Sequence, residues 1–133
     1  MHTTELEIDT AGTEVVDLTE AVRDFCAGLG DGLCNVFVPH ATAGLTIIET
    51  DSGSEEDLAE LLERLIPKSR RYTHHHGTAG HGADHMTPTI VPPSMVIPVV
   101  AGHPQLGTWQ SIVLVDRNPD NRHRTVRLSF VAA

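Results

Sequence analysis

The chain has 133 residues and carries 18 acidic against 9 basic side chains, a formal charge of −9; that length makes one domain able to bury a core without covalent staples. The acidic balance argues against nucleic acid as a partner, because phosphate binding needs a surplus of Lys and Arg on one face. No stretch approaches the ~20 apolar residues of a membrane helix, and no segment reads as an export signal. No membrane partner and a cytoplasmic location are therefore expected, with Cys26 and Cys34 as reduced, partly buried thiols. The charge is uneven: residues 1–63 hold fifteen acids and Arg23 alone, whereas residues 64–133 hold three acids and eight bases. The two halves can pair with each other, within the fold or between subunits, or the late arginines can serve a small anion.

Residues 4–9 alternate polar and apolar, the pattern of a half-buried strand. From Asp17 the rhythm changes, and Leu18, Ala21, Val22, Phe25, Cys26 and Leu29 predict a helix over 17–29. Asp17 with Glu20 resembles a capping box, and Gly28 or Gly30 would end that helix. Residues 33–38 and 44–49 read as strands, the first stopped by Pro39. Leu58, Leu61, Leu62, Leu65 and Ile66 form one apolar stripe of a second helix over 54–66, with Ser54 and Asp57 as a capping pair and Pro67 closing it. Strands follow at 94–100, 108–115 and 123–131. The sum is an α+β fold, a two-layer sandwich of a mostly antiparallel sheet with two main helices, in a single domain spanning 1–133.

The histidines carry the functional signal. His74, His75, His76, His81 and His85 fall inside twelve residues, interleaved with Gly and Asp84, and His40 stands earlier at the end of an apolar strand. Imidazole is a metal ligand and titrates nearest neutral pH. The small residues after His40, Ala41-Thr42-Ala43-Gly44, let backbone approach a ligand closely. Glu49 ends an apolar strand and either pairs with a base or faces a pocket. Asp57 opens the second helix as a cap or as a functional acid. In 123–131, period two places Arg124 on the face of Val126, Leu128 and Phe130, where a guanidinium should meet a carboxylate or a phosphate; Arg122 shares its parity nearer the turn.

His40-Ala-Thr-Ala-Gly-Leu-Thr-Ile-Ile-Glu49, Asp57, Tyr72-Thr-His74, Asp84-His85, Leu106-Gly-Thr-Trp-Gln110 and Arg122-His-Arg124 together resemble the YjbQ-type family, whose members are often labelled secondary thiamine-phosphate synthases. The similarity runs from about residue 4 to residue 131. It implies a compact α+β sandwich assembled as a homotrimer, with pockets near subunit boundaries. It also implies that His40, His74 and His85 are the shared histidines, Glu49 and Asp57 the shared acids, and Thr42, Gln110, Arg122 and Arg124 ligand-binding groups. His75, His76 and His81 match nothing regular and read as local decoration.

Three imidazoles make a zinc-type shell with one position open, oriented by acceptors such as Asp84 and Glu49. The competing arrangement has the histidines hydrogen-bonding an anionic ligand without metal. This chain departs from the family at Ala41, Ile48, Thr87, Pro92-Pro93-Ser94 and His103, losing two cationic positions near the expected pocket. The implied function is a weak thiamine-phosphate synthase activity on a small phosphorylated molecule, with His40, Glu49 and Asp57 catalytic and magnesium as the ion. The alternative is a zinc-dependent hydrolase, or a non-catalytic trimer that binds metal or a small anion.

Overall fold

A computed structural model describes residues 1–133. Eight strands and three helices occur in the order β1 (His2–Asp9), β2 (Val15–Asp17), α1 (Thr19–Cys26), β3 (Gly32–Phe37), β4 (Ala43–Ile48), α2 (Ser54–Leu65), α3 (His81–Ile90), β5 (Ser94–Val100), β6 (His103–Pro104), β7 (Ser111–Asp116) and β8 (His123–Ala132). The fold is the expected α+β sandwich, with its antiparallel strands divided between two sheets rather than held in one. The larger sheet has the order β1-β8-β3-β5-β6 and the smaller β2-β7-β4.

The smaller sheet is the middle layer. Leu45, Ile112 and Leu114 on its one face join Cys34, Val36, Ile97, Val126, Leu128 and Phe130 of the larger sheet in the main core, which Val22 and Cys26 of α1 close at one end. On its other face, Val113 and Val115 pack with Val15 and Val91 against Leu62 of α2. A strand covered on both faces loses its polar alternation, so residues 112–115 read as Ile-Val-Leu-Val. Arg117, just past β7, donates to the carbonyls of Leu62 and Ile66 and pairs with Glu63. It thereby satisfies free carbonyls at the C-terminus of α2.

Several local expectations are corrected. The first helix covers 19–26 rather than 17–29, and Asp17 accepts from the Thr19 amide at 2.8 Å while Glu20 pairs with Arg23 instead of closing a capping box. The second begins after Gly53, whose φ of 95° takes the cap position, and no side chain of Ser54 or Asp57 caps it. Trp109 and Gln110 lie in a turn before β7, not inside a strand over 108–115. The short strand β2 was not anticipated. Neither was α3, which takes up the His81–His85 end of the expected histidine loop and leaves residues 74–76 irregular: Gly82 and Pro88 sit inside it, and both oppose helix in isolation. No helix is long and apolar enough to cross a membrane.

Candidate functional site

The site forms where β4 begins and β7 ends, since Ala43 pairs with Asp116, and where α3 packs on β4. Helical spacing puts His81 and His85 on one face of α3, a turn apart. Their Nε2 atoms lie 2.9 Å apart. Residues 72–74 then run back along the same helix. Gly82 permits this, because a Cβ there would stand 2.5 Å from the His74 carbonyl oxygen and 2.6 Å from Tyr72 Cβ. His74 consequently stacks edge-on to His85, with centroids 4.6 Å apart, and His76 approaches His74 at 4.3 Å and His81 at 4.9 Å. One ligand nitrogen from each of His74, His76, His81 and His85 falls within 4.8 Å of the others.

Carboxylates stand behind the cluster. Asp120 Oδ2 lies 3.2 Å from His81 Nδ1, and Asp84, 1% exposed, lies 3.9 Å from the same nitrogen. Lys68 Nζ sits 3.1 Å from Asp84 and donates to the Arg117 carbonyl at 2.6 Å. His81 Nδ1 is buried beside these acids without making a hydrogen bond; a proton at Nδ1 would leave Nε2 as a lone pair turned to the cluster. His40 is not one of the four converging rings. Its Nδ1 lies 3.0 Å from Thr42 Oγ1, which donates to Asp116 Oδ1 at 3.0 Å, and Asp116 in turn holds Arg124. Thr42, Asp116 and Arg124 are all buried, so this chain runs from the core to the edge of the histidines.

The placement of the expected residues is uneven. His74 and His85 lie in the cluster, with His76 and His81, read as decoration from sequence, beside them. His40, Thr42 and Arg124 flank it through Asp116. Arg122 pairs with Asp9 at the surface. Asp57 is exposed on α2. Glu49 and Gln110 are exposed beside the Ile48–Ser111 pair, at the other end of β4, roughly 20 Å from Thr42 by strand rise. Gln110 uses its amide oxygen on its own turn, accepting from the Gly107 amide at 2.8 Å.

Two groups missed from sequence are Arg70 and Arg71. Both line the cleft over His74 and His81. Every other Arg and Lys side chain has a carboxylate within 4 Å, and these two have none. In a chain with twice as many acids as bases, two cations at one mouth without a carboxylate partner leave that mouth locally positive.

His40 and His74 favour the neutral state. Burial lowers the His40 pKa from its ordinary 6.5, and the Arg124 guanidinium adds to this. His74 is lowered by loss of solvent around its ring and by His76, His85 and His81. Below pH 6.5 the unfolded chain takes up protons that the folded chain resists, so folding stability falls as pH drops. Metal-free protein is therefore expected to show a lower urea midpoint at pH 5 than at pH 7.5. A midpoint that held or rose on acidification would contradict this arrangement of rings.

Fold and site define a small two-sheet sandwich with a histidine cluster at one pole, two of its rings on a helix and two on the segment packed against it. The family model for UPF0047, YjbQ-like proteins matches residues 4–133, and the chain belongs to that family. It is 63% identical over 131 residues to a UPF0047 protein of Mycobacterium tuberculosis, covering 98% of each chain. It is 35% identical over 123 residues to one of Archaeoglobus fulgidus, covering 92% of this chain and 96% of that one. Among solved structures, a YbjQ-like protein of Sulfolobus solfataricus superposes with a TM-score of 0.91 at 27% identity, covering 99% of this chain and 97% of that one. A hypothetical protein of Aeropyrum pernix gives 0.90 at 32% identity, with both chains fully covered.

Proposed function

We propose that this chain is a zinc-dependent protein acting on or binding a small anionic molecule, with His74, His81 and His85 holding the ion and His76 as a displaceable fourth ligand. The observation that carries this reading is the convergence of four imidazole nitrogens within 4.8 Å. Zinc–nitrogen bonds of 2.0–2.1 Å in tetrahedral array separate ligand nitrogens by about 3.3 Å. The 2.9 Å between His81 and His85 needs only a small opening to reach that value. An all-nitrogen donor set suits zinc over magnesium, which demands oxygen. Bound there, zinc would supply Lewis acidity in a hydrolytic reaction. Arg70 and Arg71 would hold the anion, and His40, kept neutral beside the cluster, would accept a proton.

Thiamine-phosphate synthase activity takes second place. Joining a pyrimidine diphosphate to a thiazole phosphate calls for a hard ion on carboxylates and clamps for pyrophosphate. Glu49 and Asp57, the acids that would serve, are exposed, and Glu49 sits at the far end of β4. A homotrimer remains our assembly, in which the exposed Glu49, Trp109 and Gln110 of one subunit complete the pole of another; light scattering at micromolar concentration that returned a monomer mass would remove it. The buried free thiols Cys26 and Cys34 favour a reducing, cytoplasmic setting.

A competition titration against a chromophoric chelator tests the ion site. One zinc per chain is expected, with affinity lowered about 100-fold or more in His81→Ala and barely altered in His75→Ala, whose ring bonds to the Thr73 carbonyl at 2.7 Å instead. Equal losses from both substitutions would reduce the cluster to a nonspecific histidine segment.

A further inference from the structure

A second cleft shares its wall with the histidine pocket. It encloses about 460 Å³ between the end of α2, residues 70–74 and α3, and its apolar lining comes from Leu65, Ile66, Tyr72 and Met86. Arg70, Arg71, Tyr72, His74 and Gly82 line both clefts, so residues 70–74, closed onto Gly82, form the wall between them, with the histidines on one side, the apolar lining toward α2 on the other, and Arg70 and Arg71 bordering both. Leu65 is 56% exposed and Met86 40% exposed, large side chains left open to solvent with nothing of this chain covering them. A lone exposed apolar residue is ordinary. Here Leu65 and Met86, from two different helices, face a common hollow beside the only two unpaired cations in the chain. Arg70 also lies over the Tyr72 ring, 5.4 Å from its centroid, which places an aromatic group at the boundary between the two clefts.

We infer that the ligand is amphipathic: an organic anion whose phosphate or carboxylate is taken by Arg70 and Arg71 where they border both clefts, and whose flat apolar or aromatic portion lies in the cleft of Leu65, Tyr72 and Met86. The inference rests on the anion reading above and adds what the rest of the ligand is. Planar apolar groups fill such a slot with little loss of internal freedom, and Met adapts its side chain to irregular shapes. Inorganic phosphate and simple phosphate esters would engage only the two arginines.

Calorimetric titration of methyl phosphate and phenyl phosphate, in zinc-supplemented and in chelator-containing buffer, separates the two readings. The ester group differs while the charged head stays the same. Phenyl phosphate is expected to bind about tenfold more tightly, the return on burying much of one ring. In Met86→Ser and in Leu65→Ser that ratio is expected to fall to within about twofold of unity. Equal affinities in the wild-type protein would overturn the apolar subsite and leave the anion reading standing, whereas absence of binding by both esters would overturn both. A tenfold preference that survived both substitutions would place the ring elsewhere and overturn the assignment. So would a fall in molecular mass on either substitution, because it would show the cleft covered by a second copy of the chain.

Discussion

Replacing Asp116 with alanine is expected to remove on the order of 3–5 kcal/mol of folding stability. The carboxylate sits at the end of β7, 4% exposed, and holds the Nε of Arg124, itself 1% exposed. Arg124 has little else: Nη1 donates to the His123 carbonyl at 2.7 Å, and Nη2 already lacks a partner. Without Asp116 a buried guanidinium would stand uncompensated, at a cost far beyond the loss of one hydrogen bond. Thr42 would lose its acceptor at the same time, so the His40 ring would lose its anchor. Urea unfolding of metal-free protein reads the stability, and a shift worth less than about 1 kcal/mol would show that the pair is dispensable. Replacing both partners together with apolar residues of similar volume should restore much of the loss, as it does for buried ion pairs in general.

Gly82→Ala carries the second large effect, and its sign is informative. Helix propensity alone would make alanine better than glycine within α3 by about 1 kcal/mol. The added Cβ would, however, strike the His74 carbonyl at 2.5 Å and Tyr72 Cβ at 2.6 Å, and those atoms belong to backbone and its first carbon, which cannot swing aside. Overpacking of this kind costs about 1–3 kcal/mol. More important, residues 72–74 would be pushed off α3 and His74 carried away from His85. We expect net destabilisation together with a 10–100-fold loss of zinc affinity, the size associated with disturbed ligand orientation. Met86→Ala, on the same helix and half-exposed, provides the comparison for effects on helix formation. A Gly82→Ala protein that was more stable and bound zinc normally would mean that the close approach of these segments does not set the site.

Residue pattern reveals much of the frame and only part of the site. The helices over 19–26 and 54–65 are legible from their apolar periodicity, although α2 buries only Leu62 of its stripe and leaves Leu61 and Leu65 open to solvent. Arg124 was readable from strand parity, and its partner had to be a carboxylate or a phosphate; that it is Asp116 depends on β7 lying across the core from β8, which no local pattern encodes. Helix α3 was hidden because Gly82, Thr87 and Pro88 weaken its intrinsic propensity, and packing on β4 supplies what local preference lacks. The same oversight concealed the role of His81: once α3 is a helix, its four-residue spacing from His85 puts both rings on one face.

Glu49 and Gln110 present the opposite case. They stand in motifs shared with the histidines, yet sequence order does not show at which end of a strand each motif falls. A six-residue β4 separates Glu49 from the His40 end. The special standing of Arg70 and Arg71 was invisible for a different reason. Being unpaired is a property of the whole set of charges, and it emerges only when every other cation is seen with its acid.

The central claim, that His74, His81 and His85 hold one ion within reach of His76, is tested most directly by X-ray absorption at the zinc edge on protein purified without a metal-affinity column. We expect one zinc per chain, with three or four nitrogen neighbours at about 2.0–2.1 Å and the outer scattering of imidazole rings. In His85→Ala the imidazole count is expected to fall by one or the zinc to be lost. A shell of six oxygens, or zinc well below one per chain after saturation, would contradict the account.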